Sequence, residues 1–193
     1  MLIIEGSDLV GKSTLCQNLV KRLADSGHTY SHLSRLPDAF HRYWSYVDRA
    51  ARFVVQDRFH MSEIVYAEAR GDGTSLSPEK YRLVDGFLRG LGAYTIVISC
   101  SDDLLVERYK TRAQEEMYKL ELVLNVNSFF RHIGRKCGWK NYNAIDVDFA
   151  CVCTPSNPFV SDNEVEQILK EYRNRQDMIN LVFKRLQQRS LFS

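Results

Sequence analysis

Residues 2 to 14, LIIEGSDLVGKST, decide the fold of this chain. Leu2, Ile3 and Ile4 form an apolar run too short for a helix, the pattern of a strand buried on both faces. Gly6 to Ser13 then spell GSDLVGKS, a complete GxxxxGK[ST], and Leu15, Leu19, Val20 and Leu23 follow at helical spacing. Strand, glycine loop and helix in this order are the setting in which the motif carries meaning. The glycines let successive backbone N–H groups turn inward around an anion, and the helix N-terminus adds partial positive charge. Lys12 is placed to reach the outer phosphates of a nucleoside triphosphate, and Ser13 to give a hydroxyl to Mg²⁺. Gly6, Ser7, Asp8, Gly11, Lys12, Ser13 and Thr14 are therefore expected to form a nucleotide-binding loop.

Working outward, the first helix is expected to stop at Gly27, and a second strand to lie around Tyr30 to Leu33. Pro37 then opens an aromatic helix with Phe40, Tyr43, Trp44 and Val47. A third buried strand, Phe53 to Val55, ends at Gln56 and Asp57, and a helix starts at about Ser62. Ser77 and Pro78 have the chemistry of an N-cap and first helical residue, leading a helix through Leu83, Phe87 and Leu91. YTIVISC (94–100) and FACVC (149–153) supply two more strands. Ser161 and Glu164 have capping-box spacing before Val165, Ile168, Leu169, Tyr172, Ile179, Val182 and Leu186, which predicts one long or kinked amphipathic helix packed on the core. Buried strands alternating with helices predict a three-layer α/β fold, a five-stranded parallel sheet covered on both faces, in a single domain over residues 1–193.

The composition fits. The chain has 193 residues, 45% of them hydrophobic, with 26 Lys and Arg against 24 Asp and Glu for a net charge of +2. This near neutrality announces no nucleic-acid or membrane partner. Cys16, Cys100, Cys137, Cys151 and Cys153 form no CxxC pair, so they read as reduced thiols rather than a zinc cluster or disulfide framework. MLIIEGSD lacks the basic and long apolar regions of a signal peptide, and no run approaches a membrane span. A cytoplasmic protein is expected. The Asn/Thr-Lys-x-Asp segment with which regulatory GTPases read guanine is missing: Lys140-Asn141-Tyr142-Asn143 lacks the aspartate.

IEGSDLVGKST, LSRLP, QDRFHMSEIVYA and VISCSDDLLVERYKTR, taken in order, resemble the thymidylate kinase family of P-loop nucleoside monophosphate kinases, especially its compact bacteriophage-type members. The resemblance covers nearly the whole chain and implies the P-loop kinase fold with a short lid, about residues 108–122. If the chain is of phage origin, it also implies the host cytoplasm. The most specific pieces are Asp8 inside the P-loop and the pair Asp57-Arg58 closing the third strand. By resemblance Asp8 bonds the acceptor's 3′-hydroxyl; the alternative, read from the loop alone, is that Asp8 caps the turn. Asp57, at the carboxyl end of a central strand where open α/β sheets place ligands, is a candidate with Ser13 for Mg²⁺. Arg58 offers a fork to the acceptor phosphate. Ser62 and Tyr66 match residues lining the acceptor pocket. Arg35 matches the arginine of the family's Arg-Glu-Pro, although Leu36 stands where the family has glutamate. Trp44, with Phe40 and Tyr43, would wall the base pocket, and Arg49 is a further candidate contact; an aromatic stripe also reads as core.

Ser101 should cap a helix running into ERYKTRAQEEMY, where Arg108 and Arg112 are one turn apart and share a face. At the lid position they would stabilise charge on the donor phosphates, because Leu9 and Val10 leave the P-loop without an arginine of its own; as plain helix charges they would pair with Glu115 and Glu116. The catalytic set expected is thus Lys12, Asp57, Arg58, Arg108 and Arg112. With ATP and Mg²⁺ the resemblance implies transfer to a deoxypyrimidine monophosphate, dTMP to dTDP. The alternatives are a modified pyrimidine such as hydroxymethyluracil, as mononucleotide or in DNA, a deoxynucleoside kinase with Glu5 or Asp57 as base, and a regulatory P-loop NTPase. Family members are commonly homodimers, which nothing in the apolar pattern derives.

Overall fold

A computed structural model describes residues 1–33, 46, 50, 53–71, 76–112, 118–134, 149–154 and 161–190, the segment 149–154 by its backbone. Five strands make one parallel sheet: β1 (Leu2–Gly6), β2 (Thr29–His32), β3 (Val54–Asp57), β4 (Tyr94–Cys100) and β5 (Phe149–Thr154), in the order β2-β3-β1-β4-β5. Between them run α1 (Lys12–Arg22), α2 (His60–Arg70), α3 (Pro78–Gly90), α4 (Asp102–Thr111) and α5 (Leu120–Gly134), and α6 (Asp162–Ser190) follows β5.

β1 is the spine. Its side chains alternate between the two faces, as the strand period of two requires. Leu2 and Ile4 enter a core with Leu15 and Leu19 of α1, Ile96 and Ile98 of β4, and Val165 and Leu169 of α6. Met1 and Ile3 enter the opposite core with Ile64 and Val65 of α2, Val84 and Leu88 of α3, and Val126 and Phe130 of α5. Leu2, Ile3 and Ile4 are 0% exposed, and each such side chain contributes roughly 1.5–3 kcal/mol.

The locally encoded helix starts stand where the sequence puts them. Ser77 accepts from the Lys80 N–H, Ser101 accepts from the Leu104 N–H, and Ser161 and Glu164 form the reciprocal capping box.

Four features depart from the sequence reading or lie beyond it. The first helix stops at Arg22, and Gly27 ends a separate 3₁₀ turn, Ala24–Ser26. The buried face of α3 is Tyr81, Val84, Asp85 and Leu88, whereas Leu83, Phe87 and Leu91 are exposed. α6 is one continuous helix, buried through Val165, Ile168, Leu169 and Tyr172, whereas Met178, Leu181, Val182 and Phe183 in its second half are exposed. α5 is a helix the sequence reading does not assign, and its start falls inside the expected lid. Its apolar stripe of Val123, Val126, Phe130 and Ile133 is interrupted by Asn127, which is buried because it bonds both the N–H and the C=O of Cys100.

Gly6 lies opposite Ile98 of β4, and a Cβ there would lie 2.5 Å from the Ile98 carbonyl oxygen and 3.0 Å from Val10 Cγ2. Backbone cannot yield as a side-chain tip can. Gly6→Ala should lower the unfolding free energy by about 1–3 kcal/mol, the usual cost of overpacking, read as a lower urea midpoint; an unchanged midpoint contradicts this packing.

Candidate active site

The site lies at the carboxyl ends of β1, β3 and β2, above the N-terminus of α1. β1 and β3 pair with Ile4 opposite Asp57, and β2 places His32 opposite the same aspartate. The register therefore brings Asp57 beside the loop that leaves β1. Gly11, at φ 100°, and Leu9, at φ 67°, make the left-handed turns that close the loop. The Arg58 N–H donates to the Ile4 carbonyl at 2.9 Å, so the Asp-Arg pair is fixed to the spine by backbone as well.

Lys12 is 6% exposed, and its Nζ donates to the Ser7 carbonyl at 2.5 Å. Burial, followed by the nearby Arg58 guanidinium, pushes its ammonium down to about 8, against the pull of Asp8, Asp57 and Glu5. Ser7 is buried, while Ser13 and Thr14 are exposed at the mouth. The Ser13 hydroxyl donates to Asp57 Oδ2 at 2.7 Å. The same oxygen accepts from the Tyr30 hydroxyl at 3.2 Å and lies 3.5 Å from His32 Nδ1.

Asp57 is 1% exposed, and its other oxygen, Oδ1, is buried without a hydrogen-bond partner. A buried carboxylate oxygen left without a donor is costly, and beside a serine hydroxyl it suits a hard cation that takes oxygen ligands. The Ser13 and Asp57 oxygens thus fit Mg²⁺. Among the described residues no group of three His, Cys, Asp or Glu side chains could hold a metal on its own.

A second cluster adjoins the first. Arg58 forms an ion pair with Asp8 Oδ1, and its guanidinium lies 4.7 Å from the centroid of the Tyr66 ring. The Tyr66 hydroxyl donates to Asp8 Oδ2 at 2.9 Å. Burial first, then the Asp8 charge, raises the Tyr66 phenol well above its ordinary value despite Arg58, so it stays a donor. Both oxygens of Asp8 are therefore used by side chains of the Asp-Arg segment and α2. Arg58 stands at φ 64°, a left-handed conformation rare outside glycine, which costs a non-glycine residue on the order of 1 kcal/mol.

Of the expected site residues, Lys12, Ser13, Asp57, Asp8, Arg58 and Tyr66 thus come together. Ser62 gives its hydroxyl to Glu5. Arg108 donates to the Leu9 carbonyl at 2.5 Å, tying α4 to the loop. Arg112 does not share its face: α4 ends at Thr111, and Arg112 follows in extended conformation (φ −93°, ψ 138°) and exposed. Arg35, Trp44, Phe40, Tyr43, Arg49, Glu115 and Glu116 lie outside the described residues. Glu5 does not suit a base for a sugar hydroxyl, because it is 0% exposed and held by three internal donors. Tyr30 and His32 are site residues the sequence reading missed; the signal was their alternation in a strand ending level with Asp57.

No protein-family model matches the chain, and no curated protein matches its sequence. Solved structures do. The YorR protein of Bacillus subtilis, in complex with phosphorylated GDP, superposes with a TM-score of 0.70 over 91% of this chain and 97% of its own, at 17% identity. Deoxyadenosine kinase from M. mycoides, with bound dATP, superposes with a TM-score of 0.50 over 89% of this chain and 98% of its own, at 16% identity. The fold is that of the P-loop kinases. No described helix is long and apolar enough to cross a membrane.

The position of Lys12 would make phosphate binding by this loop pH-dependent. A bound phosphate would need its ammonium, so affinity would be full below about pH 8 and fall as pH rises through that value. The dissociation constant for ATP should climb by up to about tenfold per pH unit above that point, as followed by calorimetry from pH 7 to 9.5. A flat profile contradicts the electrostatics described.

Proposed function

We propose that this chain transfers the γ-phosphoryl group of ATP to the 5′-phosphate of a deoxypyrimidine monophosphate, with dTMP as the acceptor. The observation that carries the reading is the Asp8–Arg58–Tyr66 cluster beside the buried Lys12. It puts a guanidinium fork and a carboxylate next to the phosphate loop, where an acceptor needs one for its phosphate and the other for its sugar hydroxyl. The resemblance to thymidylate kinases assigns Asp8 and Arg58 these same roles. The two structural neighbours were solved with phosphorylated GDP and with dATP, in keeping with a nucleotide on this fold.

In this reading the loop amides and Lys12 bind the β and γ phosphates, a phosphate oxygen taking over the bond Lys12 makes to the Ser7 carbonyl. Arg58 turns from Asp8 to the acceptor phosphate, which frees an Asp8 oxygen to accept the 3′-hydroxyl. Ser13 and Asp57 would hold Mg²⁺, which neutralises charge on the phosphates when bound. The acceptor phosphate is already ionised at neutral pH, so no general base is required, and the work is alignment and charge neutralisation. Of the two lid arginines, Arg108 is the one tied to the loop, and it carries the lid's contribution at the donor phosphates.

The test is an acceptor panel with ATP and Mg²⁺: dTMP, dUMP, dCMP, dAMP, thymidine, and duplex DNA carrying hydroxymethyluracil, with products separated by anion exchange. Conversion of dTMP to dTDP is expected. Lys12→Ala should lower the rate by about a thousandfold or more, and Asp8→Ala should weaken use of the dTMP acceptor much more than it weakens ATP binding. Phosphorylation of thymidine but not dTMP assigns a deoxynucleoside kinase instead, labelling of the DNA base assigns the modified-pyrimidine kinase, and ATP hydrolysis without any acceptor product assigns a P-loop NTPase.

A further inference from the structure

Glu5, the penultimate residue of β1, lies on the same face as Met1 and Ile3, beneath the start of α2, and is 0% exposed. Its Oε1 accepts from the N–H groups of Phe59 and Met61, each at 3.0 Å, and its Oε2 accepts from the Ser62 hydroxyl at 2.5 Å. α2 has no cap of its own, since Phe59 at the N-cap position offers no side-chain acceptor. A carboxylate from a strand 54 residues earlier does what Ser77 and Ser101 do locally for α3 and α4. Negative charge at a helix N-terminus also opposes the positive end of the helix dipole.

Arg58 precedes the clamped amides and is held at φ 64°. Such a conformation persists where the surroundings over-determine it. The Arg58 N–H is fixed on Ile4 and the next N–H, that of Phe59, on Glu5, so the turn is pinned on both sides. Tyr66 rides on α2, and its bond to Asp8 depends on where that helix begins. His60, Lys12 and Arg58 are the charged or titratable groups that interact with the Glu5 carboxylate. We propose that Glu5 is a positioning residue for phosphoryl transfer: it caps α2 from β1 and thereby sets Arg58 and Tyr66 against Asp8 at the acceptor side, without touching substrate. The proposal rests on the transfer reading above.

The variants E5Q, E5A, S62A and E5Q/S62A separate the roles. Glutamine keeps an acceptor for the two amides but replaces charge-assisted bonds with weaker neutral ones, and alanine leaves all three donors unpaired. Measured at about pH 6.5, where Lys12 keeps its charge without help from Glu5, E5Q should hold its ATP dissociation constant within about twofold of wild type while the KM for dTMP rises about tenfold, and the Phe59 and Met61 amides should exchange hydrogen faster. S62A removes a single donor and should move the same quantities the same way by a smaller factor. The double variant should be no worse than E5Q, because Ser62 acts through Glu5. Donor and acceptor constants rising together, an unchanged acceptor constant in E5Q, or additive losses in the double variant overturn the proposal. Should E5A fail to fold, E5Q and S62A decide it. Should the wild-type chain phosphorylate no acceptor, the transfer reading fails on its own, and amide exchange at Phe59 and Met61 still decides the cap: exchange unchanged in E5Q and S62A overturns it.

Discussion

A lysine ammonium with 6% of its residue exposed is the constraint around which the site is organised. Removed from water, such a charge needs partners, and Lys12 has a carbonyl at 2.5 Å and three carboxylates in its field, Asp8, Asp57 and Glu5. Each carboxylate is in turn committed to something else: Asp57 to Ser13 and Tyr30, Asp8 to Arg58 and Tyr66, Glu5 to the start of α2. Two cations, Lys12 and Arg58, are thereby kept close despite their repulsion. A phosphoryl group moving between two phosphorylated substrates calls for such an arrangement, because its transition state spreads negative charge over both sides.

The sheet makes the arrangement possible by ending β2 and β3 level, with β1 running two residues past them into the loop. Parallel register sets Ile4, Asp57 and His32 in line, and Gly6 lets β1 run against the Ile98 carbonyl before turning into the loop. β1 also divides its labour by alternation. Leu2 and Ile4 anchor α1 and α6, while Ile3 and Glu5 anchor the face that carries α2, the first by apolar contact and the second by capping.

What the sequence reveals follows from how local each interaction is. The caps of α3, α4 and α6 are legible because their partners lie three residues away. The start of α2 is legible only approximately, near Ser62, and its cap comes from a distant strand, which no local pattern shows. α5 is hidden by Asn127, a polar residue in an apolar stripe whose partners on Cys100 exist only in the folded chain. Leu83, Phe87 and Leu91 keep a helical period yet face outward, since spacing identifies a stripe without identifying what covers it. In the site, Lys12, Ser13, Asp8, Asp57 and Arg58 are legible through motif and resemblance. Tyr30, His32 and the clamp role of Glu5 are products of register. Arg112 leaves the shared face because α4 ends one residue before it.

The central claim is that donor and acceptor phosphates meet between Lys12 and Arg58. Adenosine and thymidine joined 5′ to 5′ through five phosphates test it most directly, because one molecule then fills both halves. Titration calorimetry should show it binding at least about a hundredfold more tightly than ATP, the gain expected when the second contact becomes intramolecular, with Arg58→Ala returning the affinity to the level of ATP. Binding no tighter than ATP in the wild-type protein would contradict the account.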